Sequence, residues 1–276
     1  MPWNEATRPH YNRDQMRYPS DLTETEYAVL APHLPPQHNL RGRPRQVDLH
    51  EIVNALSYWL RSGCQWRLLP REFPPWKTVY SYYWRWCQTG IWQQVHQALY
   101  PQVRIHEGRS PTPSAAILDS QSVKTCESGG LRGFDAAKKV KGRKRHILVD
   151  GLGLLVAATV QTANTQDRQG GVEVLETAAA CFSSLLLIWA DAGYSGPIFA
   201  QACAAIAAWK LEIVSKPKSS TFTVLPKRWI VERTFAWLGR NRRLSKDYER
   251  NIAVSQANLF FAMSLLISRR LARFKL

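Results

Sequence analysis

Residues 185–196 read Leu-Leu-Leu-Ile-Trp-Ala-Asp-Ala-Gly-Tyr-Ser-Gly, and no other stretch constrains the fold as strongly. A short continuous apolar run bounded by turn residues reads as a buried strand, one covered on both faces. It ends at Asp191; a glycine-bounded turn follows, and then Pro197, a favoured first residue of a helix. Carboxylates at strand ends of a covered sheet sit where α/β proteins place their chemistry. Asp191 alone could equally start the turn or cap the helix, so its meaning depends on the other acids.

A chain of 276 residues accommodates one sizeable core and a smaller domain. Its net charge of +16 favours a polyanion, and nucleic acid is the commonest one. An anionic membrane surface would call for a basic amphipathic helix or a lipidation signal, and neither is evident. The five cysteines are scattered without a C-x-x-C pair, against a zinc ribbon or disulfide framework and for a reducing compartment. The first residues lack a signal peptide's apolar stretch, and no apolar run approaches the roughly 18 residues of a membrane span. A soluble, intracellular protein is expected.

Residues 1–20 form a polar arm, and 21–103 a helical domain. Thr23 and Glu26 are spaced as a capping box for a helix running to Leu34. The next loop carries Arg41, Arg43 and Arg45 in Arg-Gly-Arg-Pro-Arg, which is either a minor-groove arm or a solvated basic loop. Helices are expected over 48–61 and 78–100, the second dense in aromatics whose helical spacing marks them as core. Short helices with interspersed arginines fit a helix-turn-helix-like DNA-binding domain. Residues 104–114, with two prolines, form the linker.

The catalytic domain is placed at 115–250 and a C-terminal helix at 251–276, expected to pack on the core rather than form an interface. Residues 115–119 form a short apolar strand ending at Asp119, and 120–143 a polar excursion. Strands over 144–149 and 154–162 flank the hairpin turn Asp150-Gly151. Then come a helix capped by Asp167, the strand before Asp191, a helix over 197–209, a strand over 211–214, and helix again from Trp229. This is a mixed sheet flanked by helices.

Glu232 lies at the edge of the apolar face of the last of these, on one stripe with Arg228, Ala236, Gly239 and Arg243. Small neighbours leave room beside the carboxylate, and the arginines can hold phosphates there. Asp119, Asp191 and Glu232 are hard oxygen ligands suited to Mg²⁺ or Mn²⁺. Two such ions can activate a nucleophile and stabilise the leaving oxygen in phosphodiester displacement. Asp150 reads as a turn residue, and His146 either orients a phosphate or packs in its strand. Residues 131–148 hold seven Lys/Arg against one Asp, and 225–276 hold twelve against three acids. Such runs are solvated faces or, beside the acids, a phosphate-binding surface. The expected DNA contacts are Lys124, Lys138, Lys139, Lys141, Arg143, Lys144, Arg145, His146, Arg228, Arg233, Arg240 and Arg243.

The motifs Ile117-Leu-Asp119-Ser-Gln-Ser-Val-Lys124, Lys141-Gly-Arg-Lys-Arg-His-Ile-Leu-Val-Asp150, Ala190-Asp191-Ala-Gly-Tyr-Ser-Gly196 and Trp229-Ile-Val-Glu232-Arg-Thr-Phe-Ala-Trp-Leu resemble those of bacterial insertion-sequence transposases. The chain is most similar to the insertion-sequence-five family of DDE transposases. Gly63-Cys-Gln-Trp-Arg-Leu-Leu-Pro70 and Trp76-Lys-Thr-Val-Tyr80 resemble that family's N-terminal domain. The resemblance covers about residues 20–270. It implies a ribonuclease H-like α/β core with Asp119, Asp191 and Glu232 as the catalytic, metal-binding triad for two ions. It also implies double-stranded DNA partners, namely the element's terminal inverted repeats and a target, and a homodimer or larger assembly on DNA. Water and then a freed 3′-hydroxyl would be the nucleophiles, in a bacterial cytoplasm at the nucleoid. The family signature around the glutamate is Tyr, Arg, Glu, Lys. Arg228 matches its arginine, but Leu225 and Gly239 stand at its tyrosine and lysine, so Arg240 or Arg243 would substitute for the latter. A nuclease that cuts without joining, and a non-catalytic DNA-binding regulator, are the rival readings.

Overall fold

The computed structural model describes residues 5, 12–35, 46–127, 129–214 and 227–273. Thr23 and Glu26 form the capping box of α1 (Glu24–Leu30), which tightens into a 3-10 turn before the prolines. Asp48 caps α2 (Leu49–Ser62), which Gly63 ends in the left-handed conformation at φ 70°. The single helix expected over 78–100 is two: α3 (Trp76–Gln88) and α4 (Ile91–His106). Gly90, at φ 68°, breaks them apart, a conformation a side chain would strain. Within the expected arm, Arg13 pairs with Glu26 and Arg17 with Asp21 and Glu51, so its described part is tied to the helices.

The sheet comprises β1 (Ala115–Lys124), β2 (Gly133–Asp135), β3 (Val140–Asp150), β4 (Leu155–Thr162), β5 (Leu187–Asp191) and β6 (Lys210–Val214). β1 runs parallel to β5, and β5 to β6. β3 lies antiparallel on the other side of β1, and its far edge takes β2 and β4 end to end. β1 does not stop at Asp119 but continues to Lys124, because β3 pairs with it through the polar half. The expected excursion is therefore largely strand. Between β4 and β6 lie α5 (Asp167–Cys181) and α6 (Pro197–Ile206). Asp167 is not the cap of α5: the preceding Gln166 holds that position and Asp167 turns to the sheet.

After β6 come α7 (Arg228–Gly239), α8 (Arg242–Ser245) and α9 (Ile252–Ala272). Successive strand residues face opposite ways. Arg145 reaches the carbonyl of Leu244, while His146 packs against Gly170 of α5. The sheet is thus covered by α5 on one face and by α7 and α8 on the other. α9 packs chiefly on α4 and also on α1, α3 and β4. Trp92 lies 4.0 Å from Phe261 between ring centres, and the Tyr83 hydroxyl donates to Asn258. One continuous apolar core joins the N-terminal helices to the sheet. Contrary to the sequence expectation, α9 is long and apolar enough to cross a membrane, but 72% of its apolar window is buried inside this fold.

Candidate active site

The β1–β5 ladder ends at the pair Leu118–Ala190, so Asp119 and Asp191 are the next residues on two neighbouring parallel strands, near enough for the Asp191 charge to act on Asp119. Each carboxylate is oriented locally. Asp119 accepts from the Ser120 amide at 2.7 Å, and Asp191 from the Gly193 amide at 2.9 Å, which closes the turn after β5. Burial pushes the Asp119 carboxyl up to about 6; repulsion from Asp191 adds to the rise, while the Ser120 amide, Arg228 and Lys138 oppose it.

The third acid approaches on α7. Lys227, just before this helix, has a positive φ of 73° and lays its amine over the Trp189 ring of β5 at 4.0 Å. That contact pins the first turn against the strand bearing Asp191. The Arg228 guanidinium then lies 3.7 Å from Asp191 and 3.8 Å from Glu232, one turn further along. Glu232 itself is 61% exposed. Among the described residues no three His, Cys, Asp or Glu side chains converge on one point as a metal cage does. Two carboxylates stand together, and the third joins them through a guanidinium.

Behind this pair lies a polar layer that the sequence did not disclose. Ser120 donates to Asp167, which pairs with Lys144 at 2.9 Å; Lys144 also meets Asp135 at 3.4 Å. Lys138 donates to the Ser120 carbonyl at 3.3 Å. The Tyr194 hydroxyl is buried beside Ser120, Asp119, Asp167 and Asp191 and closes no hydrogen bond of ordinary geometry among the described residues; burial first, then those acids, push it well above the usual tyrosine range. Arg168 reaches the Gly193 carbonyl at 3.3 Å and so braces the turn after Asp191. Tyr194 sits inside the Asp-Ala-Gly-Tyr motif and could have been singled out; Asp167 reads only as a helix cap, and Arg168 carries no such signal.

The expected DNA contacts divide by exposure. Lys124, Lys138, Lys139, Lys141 and Arg240 are exposed. Arg41, Arg43 and Arg45 lie outside the described residues. Four members of the basic run are corrected to interior roles, because β3 is an inner strand covered on both faces. Arg143 is fully buried, pairs with Asp247 at 3.1 Å and donates to the carbonyls of Leu131 and Arg250. Lys144 is spent on Asp135 and Asp167, and Arg145 on the Leu244 carbonyl. His146 is buried against α5, and burial pushes its imidazole down to about 4. Arg233 stacks on Trp229 and Trp237 and donates to the Leu152 carbonyl. Arg243 pairs with Glu249 at 2.8 Å and lies over Trp59, whereas Arg240 is exposed. Asp150 is structural, as its turn implied: it is buried and accepts from Arg104, Tyr100 and the Leu152 and Leu154 amides.

Residues 110–267 match the family model described as the transposase DDE domain. Residues 22–96 match a second model, described as a transposase of the IS4/5 family. No curated protein matches the chain. The sheet order, with its antiparallel hairpin followed by parallel strands, is that of the ribonuclease H-like core which the DDE match implies.

Proposed function

The chain belongs to the DDE transposase family, and from that premise we propose that it binds the terminal inverted repeats of an insertion sequence, cleaves DNA there and joins the freed end to a target. The observation that carries this reading is the pairing of Asp119 with Asp191 at the ends of neighbouring parallel strands, with Glu232 brought to them through Arg228. DDE transposases use divalent metal ions. Two adjacent hard carboxylates, one of them held above its ordinary range by burial and then by the other, suit such an ion. Asp119 and Asp191 would hold Mg²⁺ or Mn²⁺, and Glu232 would complete a second position. The bound ions supply activation of the attacking oxygen and stabilisation of the leaving one.

The remaining residues orient and bind. The Ser120 and Gly193 amides fix the two carboxylates, and Lys138, Arg228 and Arg240 offer cations to phosphates at the site's margin. Lys124, Lys139 and Lys141 extend that surface, and the N-terminal helices contribute to repeat recognition. Acting on two ends at once calls for at least a homodimer on DNA, working at the bacterial nucleoid.

The test uses a duplex ending in the element's repeat with a free 3′-hydroxyl, a supercoiled target plasmid and Mg²⁺. Joined products are expected, and Asp119→Asn, Asp191→Asn and Glu232→Gln each abolish them. Cleavage without joining would establish a nuclease instead. Products that persist in all three variants overturn the site.

A further inference from the structure

The cation that occupies the acid cluster is a side chain. Arg228 stands 3.7 Å from Asp191 and 3.8 Å from Glu232, and its charge also acts on Asp119, so one guanidinium addresses all three acids. It is loosely held there. Both contacts exceed hydrogen-bond length, and its Nε is buried without a hydrogen-bond partner among the described residues. A guanidinium placed for structure closes a short hydrogen bond from each of its nitrogens, as Arg143 does with Asp247 and two carbonyls. Lys138, the other cation acting on Asp119, stands to one side and is engaged by the Ser120 carbonyl.

We propose that Arg228 is a resident counter-ion that holds the place of the divalent metal, keeping Asp191 and Glu232 together and yielding the acids when metal enters. This rests on the metal-binding reading of the acids given above. The displaced guanidinium becomes available to an anion at the same margin. By reciprocity, an anion that draws Arg228 outward favours metal entry. Metal loading and DNA engagement are thereby coupled through one side chain, and the DNA-free protein binds metal weakly.

The experiment is Mn²⁺ binding by the full chain without DNA, read as free Mn²⁺ by electron paramagnetic resonance. Arg228→Gln should tighten binding about tenfold, within the usual span of coupling between sites. Arg228→Lys, which keeps the charge on a compact head, should fall between Arg228→Gln and the wild type. Lys138→Gln removes an equal charge beside Asp119 without vacating the cluster, and should change affinity by much less. Thermal melts supply a second readout: Mn²⁺ should raise the melting temperature of Arg228→Gln more than that of the wild type. Equal affinities for wild type and Arg228→Gln overturn the inference and leave the metal site standing, as does an equal effect of Lys138→Gln. Absence of Mn²⁺ binding in every protein overturns the metal reading and the inference with it.

Discussion

Asp119 is held in a state that costs stability. Its carboxyl, pushed up to about 6 by burial and by Asp191, binds its proton more tightly in the folded chain than in the unfolded one. For an acid raised in this way, stability falls as pH rises from the ordinary aspartate range to about 6, and the penalty is complete above that. Asp119→Asn removes the charge and keeps the shape. In metal-free buffer at pH 7.5 the variant should be more stable than the wild type by about 3 kcal/mol, the difference closing toward pH 4. Chemical unfolding at the two pH values checks this; a variant less stable than the wild type at pH 7.5 would show that the carboxylate serves the fold. The acids were legible in the sequence because each ends or edges an element that patterning identifies: an apolar strand for Asp119 and Asp191, the stripe of a helix for Glu232. Arg228 was legible as a phosphate-binding neighbour but not as their bridge, since no periodicity reports where a long side chain lies.

β3 shows where patterning fails. Lys141, Arg143, Lys144 and Arg145 read as a solvated basic run, and only Lys141 is exposed. A chain usually announces an inner strand by apolar residues on both faces. Here charged residues occupy such positions because acids and carbonyls from distant segments meet them. Asp247 takes Arg143 and also accepts from Ser255 and the Glu249 amide. The same blindness hid the second half of β1, whose polar residues 120–124 pair with β3. Arg143→Ala should cost about 3–5 kcal/mol, since it strands Asp247 as a buried, uncompensated charge. Lys141→Ala should leave stability within about 0.5 kcal/mol. Urea unfolding of the two variants measures both. If Arg143→Ala proved as mild as Lys141→Ala, the run would be solvated after all.

The sequence divides the chain at residues 104–114 into a DNA-binding and a catalytic part, yet apolar packing crosses that division. α9, nearly the last element in sequence, lies against α1, α3 and α4, and its Phe260 meets the His96 ring of α4 at 5.4 Å. Arg104 of α4 is buried on Asp150 at the far end of β3. Such non-local packing is invisible to patterning, which puts α9 on the core but cannot choose its partners there. Its consequence is cooperative unfolding. Burial alone pushes His96 down to about 3, so this imidazole folds neutral. A base lowered in this way contributes stability that is fully present above its ordinary range near 6.5 and is lost as pH falls below it. At pH 5 the loss from His96 is about 2 kcal/mol, and His146 adds a similar amount. Acidification from pH 7 to 5 should therefore lower the melting temperature, offset in part by about 1 kcal/mol regained at Asp119, and His96→Phe should remove more than half of that dependence. Because His96 sits where α4 and α9 meet, the acid shift should move tryptophan fluorescence and far-ultraviolet dichroism together, in one transition. Two transitions, with only the helical one sensitive to His96, would show instead that the N-terminal helices and the sheet fold as separate bodies.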